Sequence, residues 1–434
     1  MSINPAVGPF NYGDTVTFGP FPKGVNNVDR SLSMGADELV DAVNLDISRT
    51  GLLTQRSGFA LALAASGAHS LWERDATTAL YAAGADLNLL TASPAGVLTT
   101  SVLRAGELQP GRSISYVLVN GEVYYSNGLV TGKIRADNTS HPWGVERPAR
   151  NPVLTRAAGN LPAGWYMVAL QYSDTRGESG GMQKAVAIEV PANSSIVVSG
   201  IPAPLSADVD TITVYLAEQN GEVLYRYGDY PLGTTTVTVM ATATPGASAY
   251  GFLCDVPPPA DWLEYYNGRI YGAKGSLITY TDALRYGQYN QRSNFIPWHA
   301  PVTLLKAVDD GLFVGTAVDT YFLRGASPKD FSRTLARPFG ANPGTALVFP
   351  KTEQTPLTVG WFSERGFVKG HTGGATELGE QEKTMLGMFS AGAALYREQN
   401  GVRQVLGAMR GGTRSAMTST DFAEAEVRRN GILI

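Results

Sequence analysis

The stretch Ser115-Tyr-Val-Leu-Val-Asn-Gly-Glu-Val-Tyr-Tyr125 contains the pattern that decides the fold class. Two short apolar runs flank Asn120-Gly121, and a tight two-residue turn needs positive φ at both positions, which Asn and Gly tolerate. The pattern therefore predicts a β-hairpin. The same pattern recurs at Asn267-Gly268, Asp310-Gly311 and Asn400-Gly401, and more loosely around Gly84 and Gly366.

The spacing of these turns indicates how the hairpins are grouped. From Gly268 onward the turn glycines follow at irregular intervals of roughly 35–55 residues, the size of one propeller blade. The Gly-His and Trp-Asp signature of WD40 repeats is absent from the sequence. We therefore predict an all-β chain with an irregular β-propeller-like body of about five or six meander blades. Stacked β-meanders that do not form a propeller are the alternative.

Residues 151–259 interrupt the hairpin pattern. About seven short strand-like segments follow one another here, which is typical of a β-sandwich. Pro257-Pro-Pro259 reads as the linker that leaves the module. We predict an inserted fibronectin-III-like β-sandwich. Six of the strand-like segments are Trp165–Tyr172, Ala185–Val190, Ser195–Ser199, Thr211–Tyr215, Val223–Tyr227 and Thr235–Val239.

The predicted organisation has four parts. They are an N-terminal arm with the first strands (1–60), the first part of the propeller-like body (61–150), the inserted sandwich (151–259), and the second part of the body with a C-terminal tail (260–434). Within the arm, Leu39, Val43 and Ile47 could line a short helix, but the segment also alternates as a strand does. A short helix is predicted over Asp421–Arg429, and Gly431–Ile434 after it either adds a final strand or docks on a neighbour.

Composition and charge exclude several classes of protein. The net charge is −4 and no run of Lys or Arg occurs, so stable binding to DNA phosphates is disfavoured. The single cysteine, Cys254, allows no intramolecular disulfide and no cysteine-based metal site, and is consistent with folding in a reducing cytosol. We expect no signal peptide, and no apolar run reaches the roughly 18 residues of a membrane span.

No motif predicts catalysis convincingly. Gly177-Glu-Ser179-Gly-Gly181 matches a hydrolase pattern, but it lies between two predicted strands, so a Gly-rich hairpin loop is the better interpretation. The four histidines (His69, His141, His299, His371) show no metal-ligand spacing. Asp37, Glu38, Asp41 and Asp46 are interpreted as a solvated or interface face. We predict no enzyme, no catalytic, cofactor or metal residues, and no cofactor.

Three N-terminal segments resemble a known family. Phe21-Pro-Lys-Gly-Val-Asn-Asn27, Asp41-Ala-Val-Asn-Leu-Asp46 and Gly51-Leu-Leu-Thr-Gln-Arg-Ser-Gly-Phe59 are similar to the N-terminal region of tail-tube proteins of short-tailed bacteriophages. Those are hub or nozzle proteins of the tail tubular protein B kind, and this chain is shorter than many of them. Segments such as Asn267–Tyr271 look similar too. The positions that match the motif are taken as structural: Phe21, Asn26, Asn27, Asn44, Arg56 and Phe59.

The resemblance implies a virion protein that assembles in the host bacterial cytoplasm. It implies a ring, hexameric in the family, which contacts adaptor, portal and other tail proteins. Double-stranded DNA would pass through the lumen without specific binding during genome ejection, and the acidic balance suits such a bore. The alternatives are a carbohydrate-binding or receptor-recognition β-propeller and, less favoured, a glycosidase, because Asp309-Asp-Gly311 and Ser363-Glu-Arg-Gly366 half-match sialidase turns.

Overall fold

Almost all regular structure in the protein is β-strand. The computed structural model describes residues 19–27, 29, 33–48, 50–56, 58, 60–349, 351, 355–378, 386–399, 402–411, 428–429 and 432–433. Strands make up 51% of the chain. The element Thr372–Gly374 is a short 3-10 segment. The prediction of an all-β fold is confirmed. No helix in these ranges is long and apolar enough to span a membrane.

Contacts within the chain define two units. One contains Met1–Ala62 and Trp298–Ile434, and the other contains Leu63–Pro297. The first unit begins with a small antiparallel hairpin of β1 (Leu45–Ile47) and β2 (Leu53–Gln55). The short helix considered around Val43 is therefore replaced by a strand.

The unit Leu63–Pro297 begins with two antiparallel meanders of four strands each. Each strand pairs with the next one along the chain. The strands of the first are β3 (Ala68–Glu73), β4 (Thr78–Ala83), β5 (Asp86–Ala92) and β6 (Leu98–Arg104). The strands of the second are β7 (Ser115–Val119), β8 (Glu122–Ser126), β9 (Thr131–Ile134) and β10 (Ser140–His141).

A two-sheet sandwich follows, as predicted for this part of the chain. Its eight strands are β11 (Val153–Leu161), β12 (Gly164–Asp174), β13 (Ser179–Met182), β14 (Val186–Val190), β15 (Ser194–Ser199), β16 (Val209–Ala217), β17 (Leu224–Pro231) and β18 (Thr236–Val239). One sheet has the order β11-β15-β18, and the other has β13-β12-β16-β17 with β14 also paired to β12. Alternate residues such as Tyr166, Val168 and Leu170 are buried in one core, as the two-residue period of a strand requires.

A third meander completes this unit. It consists of β20 (Trp262–Tyr266), β21 (Arg269–Lys274), β22 (Leu277–Tyr280) and β24 (Phe295–Pro297), and beside it β19 (Cys254–Asp255) pairs with β23 (Tyr289–Asn290). The second meander is buried on both faces. Tyr116 and Tyr125 share a core with Leu80 of the first meander, whereas Val117 shares a core with Leu263 of the third. The strands are therefore apolar on both faces, as in a sheet that is covered on both sides.

The unit of Met1–Ala62 and Trp298–Ile434 contains two further four-stranded meanders. Besides the β1–β2 hairpin, it also contains two more hairpins. The meanders are β25 (Val302–Val308), β26 (Gly311–Thr316), β27 (Thr320–Arg324) and β28 (Ser332–Arg337), then β29 (Leu347–Phe349), β30 (Thr358–Ser363), β31 (Gly366–Gly370) and β32 (Thr376–Leu378). The hairpins are β33 (Ala391–Gln399) with β34 (Val402–Arg410), and β35 (Arg428–Arg429) with β36 (Ile432–Leu433). The two meanders share a core that includes Phe313, Phe322 and Trp361.

Two of the predicted Asn-Gly turns have the expected backbone. Asn120 and Gly121 have φ of 51° and 82°, and Asn267 and Gly268 have φ of 42° and 77°. The predicted turn at Asp310-Gly311 is wrong by one residue. Val308 pairs with Gly311, so the turn residues are Asp309 and Asp310. A Cβ at Gly311 would lie 2.3 Å from the Leu323 carbonyl oxygen, so this glycine serves close strand packing.

Three predictions fall on C-terminal residues that the structure describes only in part. The turn Asn400-Gly401 lies outside the described residues, although Gln399 pairs with Val402 on either side of it. The helix predicted over Asp421–Arg429 lies mostly outside them. Its last two residues form β35, so the helix is wrong there. The final strand is confirmed as β36.

Candidate functional site: the N-terminal motif and a polar cleft

Asn26 lies at the centre of the N-terminal motif. Its side chain is buried, and Nδ2 donates hydrogen bonds to Glu38 Oε2 at 2.9 Å and to Asp29 Oδ2 at 3.0 Å. Its backbone N–H donates to the Leu39 carbonyl oxygen at 2.7 Å. Glu38 Oε2 also accepts the Gly35 N–H at 3.1 Å. Buried polar groups need such partners, so Asn26 joins two separate turns of the arm.

Two other motif positions act through the backbone. The Phe21 N–H donates to the Gly51 carbonyl oxygen at 2.8 Å, and Gly51 has a φ of 82°. Asn44 has a φ of 54°, and its carbonyl oxygen accepts the Arg56 N–H at 3.0 Å. Asn is one of the few side chains that tolerates this backbone region. The motif therefore closes three local loops.

The remaining motif positions are less informative. Asn27 is exposed, and the Arg56 side chain is half-buried. Phe59 lies outside the described residues. The structure thus brings Phe21, Asn26, Asn44 and Arg56 into a hydrogen-bonded arm, but it places no catalytic arrangement among them.

The arm is anchored by an apolar face. Val25, Ala42 and Ile47 are buried in one cluster with residues of β30, β31, β34 and the segment before β33. The members of the cluster outside the arm include Phe362, Phe367, Phe389, Val405 and Met409. Burial of aliphatic side chains is the main stabilising contribution here, so the arm and the last meander fold as one body.

The arm also exposes four aliphatic residues. The exposed fractions are 60% for Val40, 71% for Val43, 62% for Leu52 and 38% for Leu53. We refer to these four residues as the aliphatic set. The four residues fall within a stretch of 14 positions, 40–53, in a segment that is otherwise anchored. Exposed aliphatic residues mark interaction surfaces when they are concentrated.

The acidic cluster does not form one solvated face. Asp41 is exposed and Asp37 pairs with Lys23 at 3.0 Å. Glu38 is only 9% exposed. The prediction of a solvated or interface face is therefore wrong for Glu38, because its carboxylate is needed inside the arm to accept from Asn26.

The hydrolase-like sequence forms a hairpin, as predicted. Gly177 lies in the turn after β12, and Ser179 begins β13. Ser179 Oγ lies 3.1 Å from Ser173 Oγ. A nucleophile elbow requires a helix after the serine, whereas β13 is a strand.

The histidines have separate partners. His141 Nδ1 lies 2.8 Å from Asp208 Oδ2. His299 Nε2 lies 3.0 Å from Asp319 Oδ2, and its Nδ1 accepts from Arg333 at 2.8 Å. The Nδ1 atom of His299 is thus paired with the Arg333 guanidinium, which is not a nucleophile. In the described part of the chain, no group of three His, Cys, Asp or Glu side chains could hold a metal ion.

Two ion pairs that the sequence did not predict connect the second meander with the sandwich. Arg135 pairs with Asp174 at 3.0 Å, with side-chain exposures of 8% and 3%. Lys133 pairs with Glu178 alongside it. The Asp174 Oδ1 also accepts the N–H groups of Arg176 and Glu178 at 3.0 and 2.8 Å. The hairpin between β12 and β13 is thereby fixed against β9.

A cleft of about 300 Å³ opens beside these ion pairs. It is lined by residues from β8, the β12–β13 hairpin, the segment before β19 and the loop before β23. Six of its lining residues are Glu122, Tyr124, Glu178, Tyr250, Arg285 and Gln288. Burial raises the pKa of the Tyr124 phenol, with Glu122 as the next cause. The protonated hydroxyl donates to Glu122 Oε2 at 3.0 Å.

Comparisons with known proteins identify no family. No family model matches the chain, and no curated protein matches it. Among solved structures it is similar to Sqt1 of Saccharomyces cerevisiae, with 9% identity and a TM-score of 0.24 over 68% of this chain and 81% of that one. It is also similar to PorZ, a surface component of the type-IX secretion system of Porphyromonas gingivalis, with 11% identity and a TM-score of 0.19 over 86% and 68%. These TM-scores carry no argument about function.

Proposed function

We propose that this chain is a structural virion protein that forms a ring, hexameric as in the family it resembles, in the tail tube or nozzle of a short-tailed bacteriophage. The observation that carries the proposal is the aliphatic set. An anchored arm that still exposes four aliphatic residues is suited to packing against a second copy of the chain. Identical copies joined by a head-to-tail interface form a closed ring when the rotation divides the circle.

The anchoring of the arm supports the same role. Hydrogen bonds at Asn26 and burial of Val25 and Ile47 hold the backbone that presents the aliphatic set. An interface on a pre-organised segment loses less conformational entropy on association than one on a flexible tail. The arm therefore acts as an assembly element, and the meanders act as the blades of a propeller-like body.

Charge favours a conduit over a DNA-binding surface. The net charge is −4, and a protein that holds DNA stably needs cations to replace the counterions of its phosphates. We propose that genomic DNA passes through the ring without specific binding. The partners of the ring are the adaptor, the portal and other tail proteins, and its location is the tail of the virion.

The oligomeric state tests this function. We expect native mass spectrometry and negative-stain imaging of the full chain, alone and with a co-expressed portal–adaptor complex, to show a sixfold ring with a central bore. The double variant Val43→Lys/Leu52→Lys should leave a folded monomer, because both side chains are exposed within one chain. Leu205→Lys changes a residue that is 91% exposed in the sandwich and should leave the ring intact. A wild-type chain that stays monomeric in both settings contradicts the proposal.

A further inference from the structure

The cleft beside β8 has the size of a small-ligand site. Its volume of about 300 Å³ lies at the lower end of the range of ligand pockets, which is roughly 300–1,000 Å³. This volume suits one or two small ring-shaped units. Its lining combines aromatic and polar side chains from distant parts of the sequence, so the tertiary fold assembles it.

Gln288 anchors one wall of the cleft. The residue is 4% exposed, and its Nε2 donates to the Ser179 and Gly180 carbonyl oxygens at 2.6 and 3.3 Å. These two acceptors fix which end of the amide is the nitrogen. No donor among the described residues lies within hydrogen-bond distance of Oε1. Because Oε1 is also closed to solvent, Gln288 fixes the loop before β23 to the β12–β13 hairpin and does not meet a ligand itself.

Arg285 supplies donors on the other side. Its guanidinium lies over the Tyr250 ring, 3.8 Å from the centroid. In the described part of the chain it forms no ion pair with a carboxylate. Stacking uses the flat face of the guanidinium and leaves the in-plane N–H groups directed outward. Arg285 is therefore an ordered donor with unused hydrogen-bonding capacity.

The two carboxylates in the lining have cationic partners already. Glu178 pairs with Lys133, and Glu122 lies 3.6 Å from Arg176. Their remaining oxygens are acceptors, and they disfavour phosphate or another strongly anionic ligand beside them. Tyr124 and Tyr286, with ring centroids 6.1 Å apart, add aromatic surface. The site thus offers aromatic surface, several acceptors and one strong donor.

We propose that this cleft binds a neutral saccharide of one or two sugar units. A sugar ring has an apolar C–H face for the tyrosines and hydroxyl groups that both donate and accept. The hydroxyls would donate to the glutamates and accept from Arg285. This binding site is separate from the aliphatic set, so it stands or falls independently of ring assembly.

The full chain can be screened with neutral disaccharides (maltose, lactose, cellobiose and chitobiose) and with glucuronate as an anionic comparator. The methods are saturation-transfer NMR and isothermal calorimetry. We expect saturable binding of at least one neutral sugar, with a Kd of about 1 mM, a value typical of a small ligand with few contacts. Arg285→Ala and Tyr250→Ala should each weaken it about tenfold or more. Both side chains are exposed enough to be replaced without unfolding the chain.

The matched control is Arg292→Ala, because Arg292 is exposed in the same unit but does not line the cleft. Its affinity should equal that of the wild type. The proposal is overturned if no neutral disaccharide binds saturably, if glucuronate alone binds, or if binding survives both cleft substitutions.

Discussion

Asn26 Nδ2 donates a 2.9 Å hydrogen bond to Glu38 Oε2, and both side chains are buried. The two residues are 12 positions apart, so the bond joins two separate segments of the arm. The parallel bridge between Val25 and Leu39 lies directly beside it. This pair therefore determines the shape of the arm that exposes the aliphatic set.

Replacement of Asn26 by alanine should destabilise the protein. The change removes the donor to Glu38 and leaves a buried carboxylate with fewer partners, which costs about 1–3 kcal/mol. Urea unfolding followed by tryptophan fluorescence measures the loss. Asn27→Ala is the control, since Asn27 is exposed and should change the free energy of unfolding less. Equal effects of the two variants would show that the Glu38 bond is not the cause.

Gly51 should tolerate no side chain. Its φ of 82° costs an alanine about 1–2 kcal/mol, and a Cβ there would lie 2.4 Å from the Phe21 and Pro22 nitrogens. Gly373→Ala is matched, because Gly373 has a φ of 85° in the same unit with open space around its Cβ position. We expect Gly51→Ala to lower the thermal midpoint clearly more than Gly373→Ala. Similar midpoints for the two variants would contradict the clash.

The buried pair Arg135–Asp174 should be far more sensitive than a surface pair. Arg135→Met leaves the Asp174 carboxylate buried without its cation, and such a change costs about 3–5 kcal/mol. Arg226→Met breaks a pair in the sandwich whose arginine is 53% exposed, and it should cost less than about 1 kcal/mol. Denaturant titration of both variants compares their free energies of unfolding. A small loss for Arg135→Met would contradict the role of this ion pair in fixing the β12–β13 hairpin against β9.

Cys254 should react slowly while the chain is folded. Burial raises the pKa of its thiol to about 11, and Asp282 is the next cause. An ordinary cysteine has a pKa of about 8.5, so at pH 8 the folded chain holds less thiolate by about two orders of magnitude. Labelling with a disulfide reagent at pH 8 should therefore be slow in buffer and fast in denaturant. Fast labelling of the native chain would contradict the burial of this thiol.

The same shift has a consequence for stability, with the sign set by linkage. The folded chain holds this proton more tightly than the unfolded chain does. The stabilising contribution is therefore complete below the unfolded pKa of about 8.5 and is lost as the pH rises toward 11. The difference between the thermal midpoints of the wild type and Cys254→Ala should change in that window.

Some local features follow directly from short stretches of sequence. Asn120-Gly121 and Asn267-Gly268 specify hairpins because both residues tolerate positive φ. The alternation of apolar residues around Tyr166 specifies a strand. In contrast, Asp310-Gly311 misled the turn assignment, because Gly311 is required by its contact with the next strand rather than by a turn.

The candidate sites required the tertiary structure. Glu122, Glu178 and Arg285 are separated by dozens of residues, and only the packing of meander, sandwich and loop brings them to one cleft. The burial of Glu38 had the same origin. In sequence it belongs to an acidic group, and only its partner Asn26 explains why it lies inside.

The sequence by itself determined the all-β class, most of the hairpins and the strands of the sandwich, because turn chemistry and the two-residue period of strands are local properties. The tertiary structure alone decided which charges are buried, which aliphatic residues of the arm stay exposed and where a cleft forms. Those features depend on contacts between distant residues, and local pattern carries no information about such contacts.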